Sequence, residues 1–140
     1  MILILRNFHH KDDLFENVIC LAVLEHLHNP VFFIREINRV TKKGGTIFLS
    51  TPNWSYSYKN FFDDYTHIRP YTKKSLYHIF EDNNFEQISI LPGYRNKPFW
   101  MYKIPLAFLF ASLLPFTNKA RFVPNFLKGK ATSLFAIAKK

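Results

Sequence analysis

Cysteine is nearly absent from this 140-residue chain: Cys20 stands alone, so no disulfide can form within it, and nothing in its cysteine usage points to an oxidising compartment. Glycine is scarce too, limited to Gly44, Gly45, Gly93 and Gly129. Acidic residues disappear after Glu86. Residues 1–86 hold ten Lys/Arg and ten Asp/Glu, whereas 87–140 hold nine Lys/Arg and no acid, so the whole net charge of +9 resides in that final stretch. A long uninterrupted apolar run is missing as well. Phe99–Phe116 approaches the ~20 residues that span a bilayer, but Lys103, Pro105 and Pro115 break it. The opening Met1–Leu5 meets Arg6 at once, which is too short for a secretory core and reads as a strand or the scar of a truncation. Together these absences exclude a disulfide scaffold and count against a secretory leader at Met1–Leu5 and a simple membrane span over 99–116. With 48% apolar residues the chain is no disordered tail, and one compact domain in the cytoplasm is expected.

What is present alternates strand and helix, the order of a layered α/β domain. Asn17–Val23 (NVICLAV) is a continuous, β-branched apolar run, as in a central parallel strand covered on both faces. Asn29 is a good N-cap and Pro30 suits the first helical position, so a helix starts there. Val31, Ile34, Ile37 and Val40, with Phe33 beside them, form its inward stripe. Lys42 and Lys43 suit the negative end of the helix dipole, and Gly44-Gly45 supplies a left-handed stop. Thr46–Thr51 is a second buried strand ended by Pro52-Asn53, completing a βαβ unit.

Residues 53–71 carry seven aromatics without a period and read as a long loop, a common place for function. Thr72 caps a short helix with Leu76, Ile79 and Phe80 inward, and Asn83-Asn84 end it before a strand at Phe85–Leu91. Pro92-Gly93 should turn the chain. Ala131–Ala138 reads as a last strand, making a C-terminal antiparallel hairpin, with 94–130 a basic hydrophobic insertion between these last two strands.

The stretch ENVICLAVLEHLHNPVFFIREINRVTKKGGTIFLSTPN, with Val23-Leu24-Glu25-His26-Leu27, Lys43-Gly44-Gly45 and Thr51-Pro52-Asn53 in order, resembles the fourth strand, following helix and fifth strand of class I S-adenosylmethionine-dependent methyltransferases of the type 11-like group. Asp64-Tyr65-Thr66-His67-Ile68-Arg69-Pro70-Tyr71-Thr72 resembles a D-x-T-H-x-R-x-Y-T stretch of small-molecule members. The resemblance covers roughly residues 12–93 and returns near 131–138. It implies an incomplete Rossmann-like α/β fold, a single partial methyltransferase domain over 1–140, with parallel strands and the antiparallel hairpin. The family's G-x-G-x-G loop and the acidic residue that binds the ribose are absent, and the four glycines present cannot replace that loop. Met1 then falls in the middle of the family's domain, three strands short, and a partner or a longer reading frame would supply the rest.

The resemblance implies S-adenosylmethionine as cofactor, a small-molecule acceptor, and methyl transfer governed by alignment of acceptor and departing sulfur. It places Leu21 and Ala22 beside the cofactor, where core packing is the alternative role. His26 is a further cofactor contact; for His26 and Glu25 the alternative is capping or bonding to loop amides. His67 is the general-base candidate, the alternative being a loop-ordering bond to Asp64 or Tyr71. Arg69 would pair with an anionic substrate group or with Asp63 or Asp64. Cys20 reads as a buried hydrophobe rather than a nucleophile. His9-His10 and His26-x-His28 come without a Cys pair or a His/carboxylate set at ligand spacing, so no metal is expected.

The segment 95–128, with Trp100, Tyr102, Lys97, Lys119 and Arg121, fits either a lid over an apolar acceptor pocket or an interfacial helix on an anionic membrane surface. The latter would make the protein peripheral at the membrane. Nucleic acid is not an expected partner, because only the charge favours it and no RNA-binding module is visible. A non-catalytic subunit that binds a partner through an unpaired sheet edge is the reading from another class.

Overall fold

A computed structural model describes residues 10–93, 106–116, 122–124 and 130–140. The opening apolar residues, the aromatic residues 99–105 and most of the basic segment lie outside the described residues.

The described chain is an α/β unit built on a four-stranded mixed sheet. Strand β1 (Phe15–Leu21) runs parallel to β2 (Thr41–Pro52), with Val18 opposite Ile47 and Cys20 opposite Leu49. Strand β4 (Ser133–Lys139) lies antiparallel between β2 and β3 (Glu86–Gly93), giving the order β1-β2-β4-β3. The expected parallel pair and antiparallel hairpin are both present. Pro92 and Gly93, however, continue β3 opposite Leu134 and Ser133 instead of turning the chain. Proline is tolerated there because its missing N–H falls near the end of an edge strand.

Helix α1 (Pro30–Val40) starts where its sequence dictates: the Asn29 side chain accepts a hydrogen bond from the Phe32 amide at 3.1 Å, and Pro30 needs no partner. It ends earlier than Gly44-Gly45 suggests. The Thr41 hydroxyl donates to the Ile37 carbonyl at 2.6 Å and the chain turns extended at once. Lys42 to Gly45 therefore belong to β2, where they form a wide bulge: Phe15 pairs with Thr41, but Asn17 pairs with Thr46. Gly44 takes φ +74, and at Gly45 a Cβ would lie 2.7–2.9 Å from Thr41 Cγ2 and the carbonyl oxygens of Lys42 and Glu16. The two glycines shape a bulge, not a helix stop.

Beyond β2, a short helix α2 (Trp54–Ser57) and a 3-10 turn (Phe61–Asp63) organise the aromatic segment read as loop. Helix α3 (Lys73–Glu81) opens on a reciprocal capping box between Thr72 and Ser75. Helix α4 (Ala107–Leu113) lies in the connection between β3 and β4. Among the described residues no helix is long and apolar enough to cross a membrane.

One face of the sheet carries the core. Phe33, Ile34 and Ile37 of α1 and Leu76 and Phe80 of α3 pack on Ile47 and Leu49 of β2 and Leu134, Ala136 and Ala138 of β4. Each fully buried Leu, Ile or Phe contributes on the order of 1.5–3 kcal/mol. Val31 lies at the rim of the α1 stripe, 40% exposed. An Arg35 Nε bond to Asn83 Oδ1 and an Asn38 Nδ2 bond to the Asn83 carbonyl tie α1 to the end of α3. The opposite face differs from the expectation of a strand covered on both sides. Ile19 and Leu21 of β1 are 50% and 54% exposed, and among the described strands β1 is an edge. A continuous apolar run tells that a strand can be covered twice; it does not tell whether the covering layer lies within the same residues.

Candidate functional site

The carboxyl ends of β1 and β2 point to one rim, where open α/β sheets hold their ligands. Ala22 closes β1 there in the left-handed region, φ 52, held by its amide to the Ser50 carbonyl (3.0 Å) and hydroxyl (3.3 Å). For an alanine that conformation costs about 1–3 kcal/mol, the kind of strain that gathers at functional sites. Leu21 and Ala22 are both exposed at this rim, so their side chains are not core packing among the described residues.

After Ala22 the chain makes a 3-10 turn, Leu24–His26, which buries Glu25 to 1% exposure. Its backbone carbonyl accepts the Ile68 and Arg69 amides at 3.0 and 3.1 Å, clamping the aromatic segment over the rim. Its carboxylate accepts the Thr51 hydroxyl at Oε2, 3.0 Å. The other oxygen, Oε1, is buried with no hydrogen-bond partner, as is the Tyr71 hydroxyl. Burial pushes that phenol up to about 12. Glu25 thus bonds to loop amides through its backbone, while its carboxylate is spent on β2.

His26 Nδ1 lies 3.1 Å from the Thr66 carbonyl and 2.9 Å from the Thr66 hydroxyl, and that hydroxyl donates its own proton to Asp64 Oδ1 at 2.6 Å. Both neighbours of Nδ1 are therefore acceptors, which puts the proton of the neutral ring on Nδ1 and the lone pair on Nε2. His67 repeats the arrangement: its Nδ1 donates to the Phe61 carbonyl at 2.7 Å, leaving Nε2 as the basic nitrogen. The two rings lie 4.7 Å apart, and His67 is backed by the Phe61 ring at 4.6 Å. Asp64 Oδ2 stands 3.8 Å from His67 Nε2. The hydroxyl and amide of Thr66 hold the Asp64 carboxyl below its ordinary range.

His67 is thus bonded to Phe61 and near Asp64, not to Tyr71. Arg69 donates to the His28 carbonyl at 3.4 Å. Glu25, His26 and His67 each place one ligand-type atom within 4.8 Å of the others, a cluster that no local spacing displays because its third member comes from the far side of the aromatic segment. Trp54, Phe61 and Phe62 pack edge to face against one another beside it, and Phe62 is 60% exposed. Cys20, one layer below, is buried, and burial pushes its thiol up to about 12, too high for a nucleophile. A groove of about 470 Å³ between α1 and α3, lined by Arg35, His78 and Asn83 among others, touches no strand end.

The rim can be tested against the cofactor that the resemblance implies. Leu21 and Ala22 offer an exposed apolar ledge of the kind that lies against a nucleoside, and His26 borders it. Among the described residues no glycine-rich turn and no ribose-binding carboxylate accompany them. These residues fit one wall of such a cleft.

Comparison with known proteins bears on the family and the fold. A family model described as a methyltransferase domain matches residues 5–90. The mitochondrial ubiquinone biosynthesis O-methyltransferase of Dictyostelium discoideum is 39% identical over 54 residues, which are 37% of this chain and 17% of that protein. Among solved structures, a SAM-dependent methyltransferase from Archaeoglobus fulgidus superposes with a TM-score of 0.65 at 19% identity, covering 92% of this chain and 61% of that one. Another from Thermotoga maritima, described as a possible histamine N-methyltransferase, gives 0.64 at 13%, covering 96% and 60%. The chain spans about three fifths of the length of these structures.

Proposed function

Because the chain belongs to the methyltransferase-domain family, we propose that it forms the acceptor side and one cofactor wall of a site for S-adenosylmethionine-dependent methyl transfer to a small, apolar or lipid-associated acceptor. The observation that carries this reading is the pair His26 and His67, two imidazoles with free Nε2 lone pairs beside the strained rim of β1, under a shelf of exposed aromatics.

Bound S-adenosylmethionine supplies an electrophilic methyl group. The residues here do the positioning, which supplies much of the rate in such reactions. Leu21 and Ala22 support the nucleoside side, and His26 borders it. Phe62 and Trp54 receive an apolar acceptor and keep water from it. His67 Nε2 takes the proton released by an acceptor hydroxyl, and the ionised Asp64, 3.8 Å away, stabilises the resulting imidazolium. The glycine-rich turn of the family is not found in these 140 residues, and on this reading they do not hold the cofactor by themselves. The acid-free stretch 87–140 and the exposed Leu106, Phe110 and Leu113 around α4 support contact with an anionic lipid surface through 95–128.

Two measurements test this. Calorimetry of the purified 140-residue chain with S-adenosylmethionine should give no measurable heat; micromolar binding would refute the one-wall assignment. The protein isolated from its own cells, with whatever polypeptide accompanies it, should transfer labelled methyl into an organic-extractable product, and His67→Ala should abolish this. Label that never enters a small molecule, or transfer indifferent to His67→Ala, overturns the reading. A second reading rests on β1 being an edge among the described strands, with Ile19 and Leu21 half exposed: a non-catalytic subunit that pairs this edge with a partner strand. It predicts a stable complex and no transfer at all.

A further inference from the structure

We propose that Glu25, His26 and His67 form a binding site for one divalent transition-metal ion of the zinc class. This inference is independent of methyl transfer and stands or falls without the cofactor. Three observations converge on it. The donor set is two imidazoles and one carboxylate, with ligand-type atoms all within 4.8 Å of one another. Glu25 Oε1 is buried, on a residue 1% exposed, and has no hydrogen-bond donor. An anionic oxygen so placed leaves part of its charge uncompensated, a state that burial makes costly.

The third observation is the orientation of the rings. His26 and His67 each turn Nδ1 onto a backbone carbonyl, Thr66 and Phe61 respectively, which fixes the tautomer with the lone pair on Nε2. Metal-ligating histidines are held in this way by their outer partners. His26 Nε2 then lies 4.0 Å from Glu25 Oε1, with two acceptor atoms facing the same small space. Asp64 Oδ2, 3.8 Å from His67 Nε2, is within reach of a fourth position.

Imidazole-rich sets select zinc, cobalt, nickel or copper over magnesium and calcium, which prefer all-oxygen ligands. A tetrahedral ion with bonds of about 2.0–2.1 Å needs its ligand atoms roughly 3.3 Å apart, so the three side chains draw in by an ångström or so on binding. His67 is carried by the segment that the Glu25 carbonyl clamps through Ile68 and Arg69, so its approach to the other two ligands is set by that clamp and by its own bond to the Phe61 carbonyl. The ion would use the same Nε2 lone pair that receives the acceptor proton in the proposed transfer, so zinc should inhibit transfer wherever His67 serves as the base.

The test uses the full 140-residue chain after chelator treatment and dialysis. Calorimetry with Zn²⁺ should show one equivalent bound, Co²⁺ should give the visible absorption of a four-coordinate site, and Mg²⁺ should give no heat. His26→Ala and His67→Ala should each weaken Zn²⁺ by about a hundredfold or more, at or beyond the roughly 10–100-fold that follows loss of an outer partner. His9→Ala with His10→Ala should leave the affinity unchanged. Should Glu25→Gln fail to fold, Zn²⁺ should still raise the Tm of the wild-type chain and not that of His67→Ala. No one-equivalent binding overturns the proposal, as would happen if only a water or a shared proton sits beside Oε1. Binding that survives the His26 and His67 changes, or that follows the His9-His10 pair, overturns it equally.

Discussion

Replacing Gly45 by alanine asks whether the β2 bulge is shaped by space or by backbone freedom. A methyl at Gly45 would stand 2.7 Å from Thr41 Cγ2, 2.8 Å from the Lys42 carbonyl oxygen and 2.9 Å from the Glu16 carbonyl oxygen. Two of these three neighbours are backbone atoms, one of them on β1, so they cannot rotate away and the β1–β2 junction must open. Overpacking of this kind costs about 1–3 kcal/mol, offset by about 0.4–1 kcal/mol from the stiffer unfolded chain. A net loss of about 1 kcal/mol follows, which at a urea slope of about 2 kcal/mol per M lowers the unfolding midpoint by about 0.5 M. Gly44 is the internal control. It has φ +74 but open space where a Cβ would go, so Gly44→Ala meets left-handed strain of about 1–2 kcal/mol without a clash, and the two variants differ in where the structure opens rather than in the size of the loss. Amide exchange should accelerate at the Asn17–Thr46 junction in Gly45→Ala and not in Gly44→Ala. A Gly45→Ala chain within about 0.5 kcal/mol of wild type, or one that keeps exchange protection at that junction, would refute the close-approach argument.

Asn53 joins three segments at once: its side chain accepts from the Ser55 amide and donates to the Ala131 carbonyl, at 3.2 and 3.0 Å, in a buried position. Asn53→Ala strands those groups and should cost about 1–3 kcal/mol by denaturant unfolding; an indifferent variant would mean that water substitutes fully. Thr72→Ala dismantles the α3 capping box and should cost about 1 kcal/mol by the same assay. At alkaline pH the chain should weaken. Burial holds the Cys20 thiol and Tyr71 phenol at about 12, above their ordinary 9.0 and 10.0, so the unfolded chain releases these protons first. Stability therefore falls as pH rises from about 9 toward 12, read as a declining urea midpoint; a flat or rising midpoint over that window contradicts the burial of both groups.

Local chemistry announced some features and hid others. Asn29-Pro30 and Thr72 declare helix starts because a cap and its acceptor lie within three residues of each other. The end of α1 was ambiguous for the same reason: Lys42-Lys43-Gly44-Gly45 satisfies a helix terminus and a strand bulge equally, and only the approach of β1 decides. The long apolar run at Asn17–Val23 declared a strand, and its pairing beside Thr46–Thr51 was legible from the βαβ order. The exposure of Ile19 and Leu21 was not, since it depends on what lies across the sheet. Leu21, Ala22, His26 and His67 are candidates from their motif positions, and the structure brings the two imidazoles to 4.7 Å of each other. The convergence of His67 on Glu25 could not, because it depends on how the intervening segment folds back, and the Glu25 backbone clamp on Ile68 and Arg69 leaves no trace in residue type.

The placement of β4 between β2 and β3 sets a timetable for synthesis. Among the described strands, β3 leaves the ribosome before its neighbour, because β4, which links it to the rest of the sheet, comes about 40 residues later. At translation speeds of roughly 5–20 residues per second, that is a wait of some 2–8 s during which the Glu86–Gly93 edge is open to any other nascent chain. A slow codon run placed across this interval would lengthen the window, and a holdase that recognises extended apolar segments would have its natural target there.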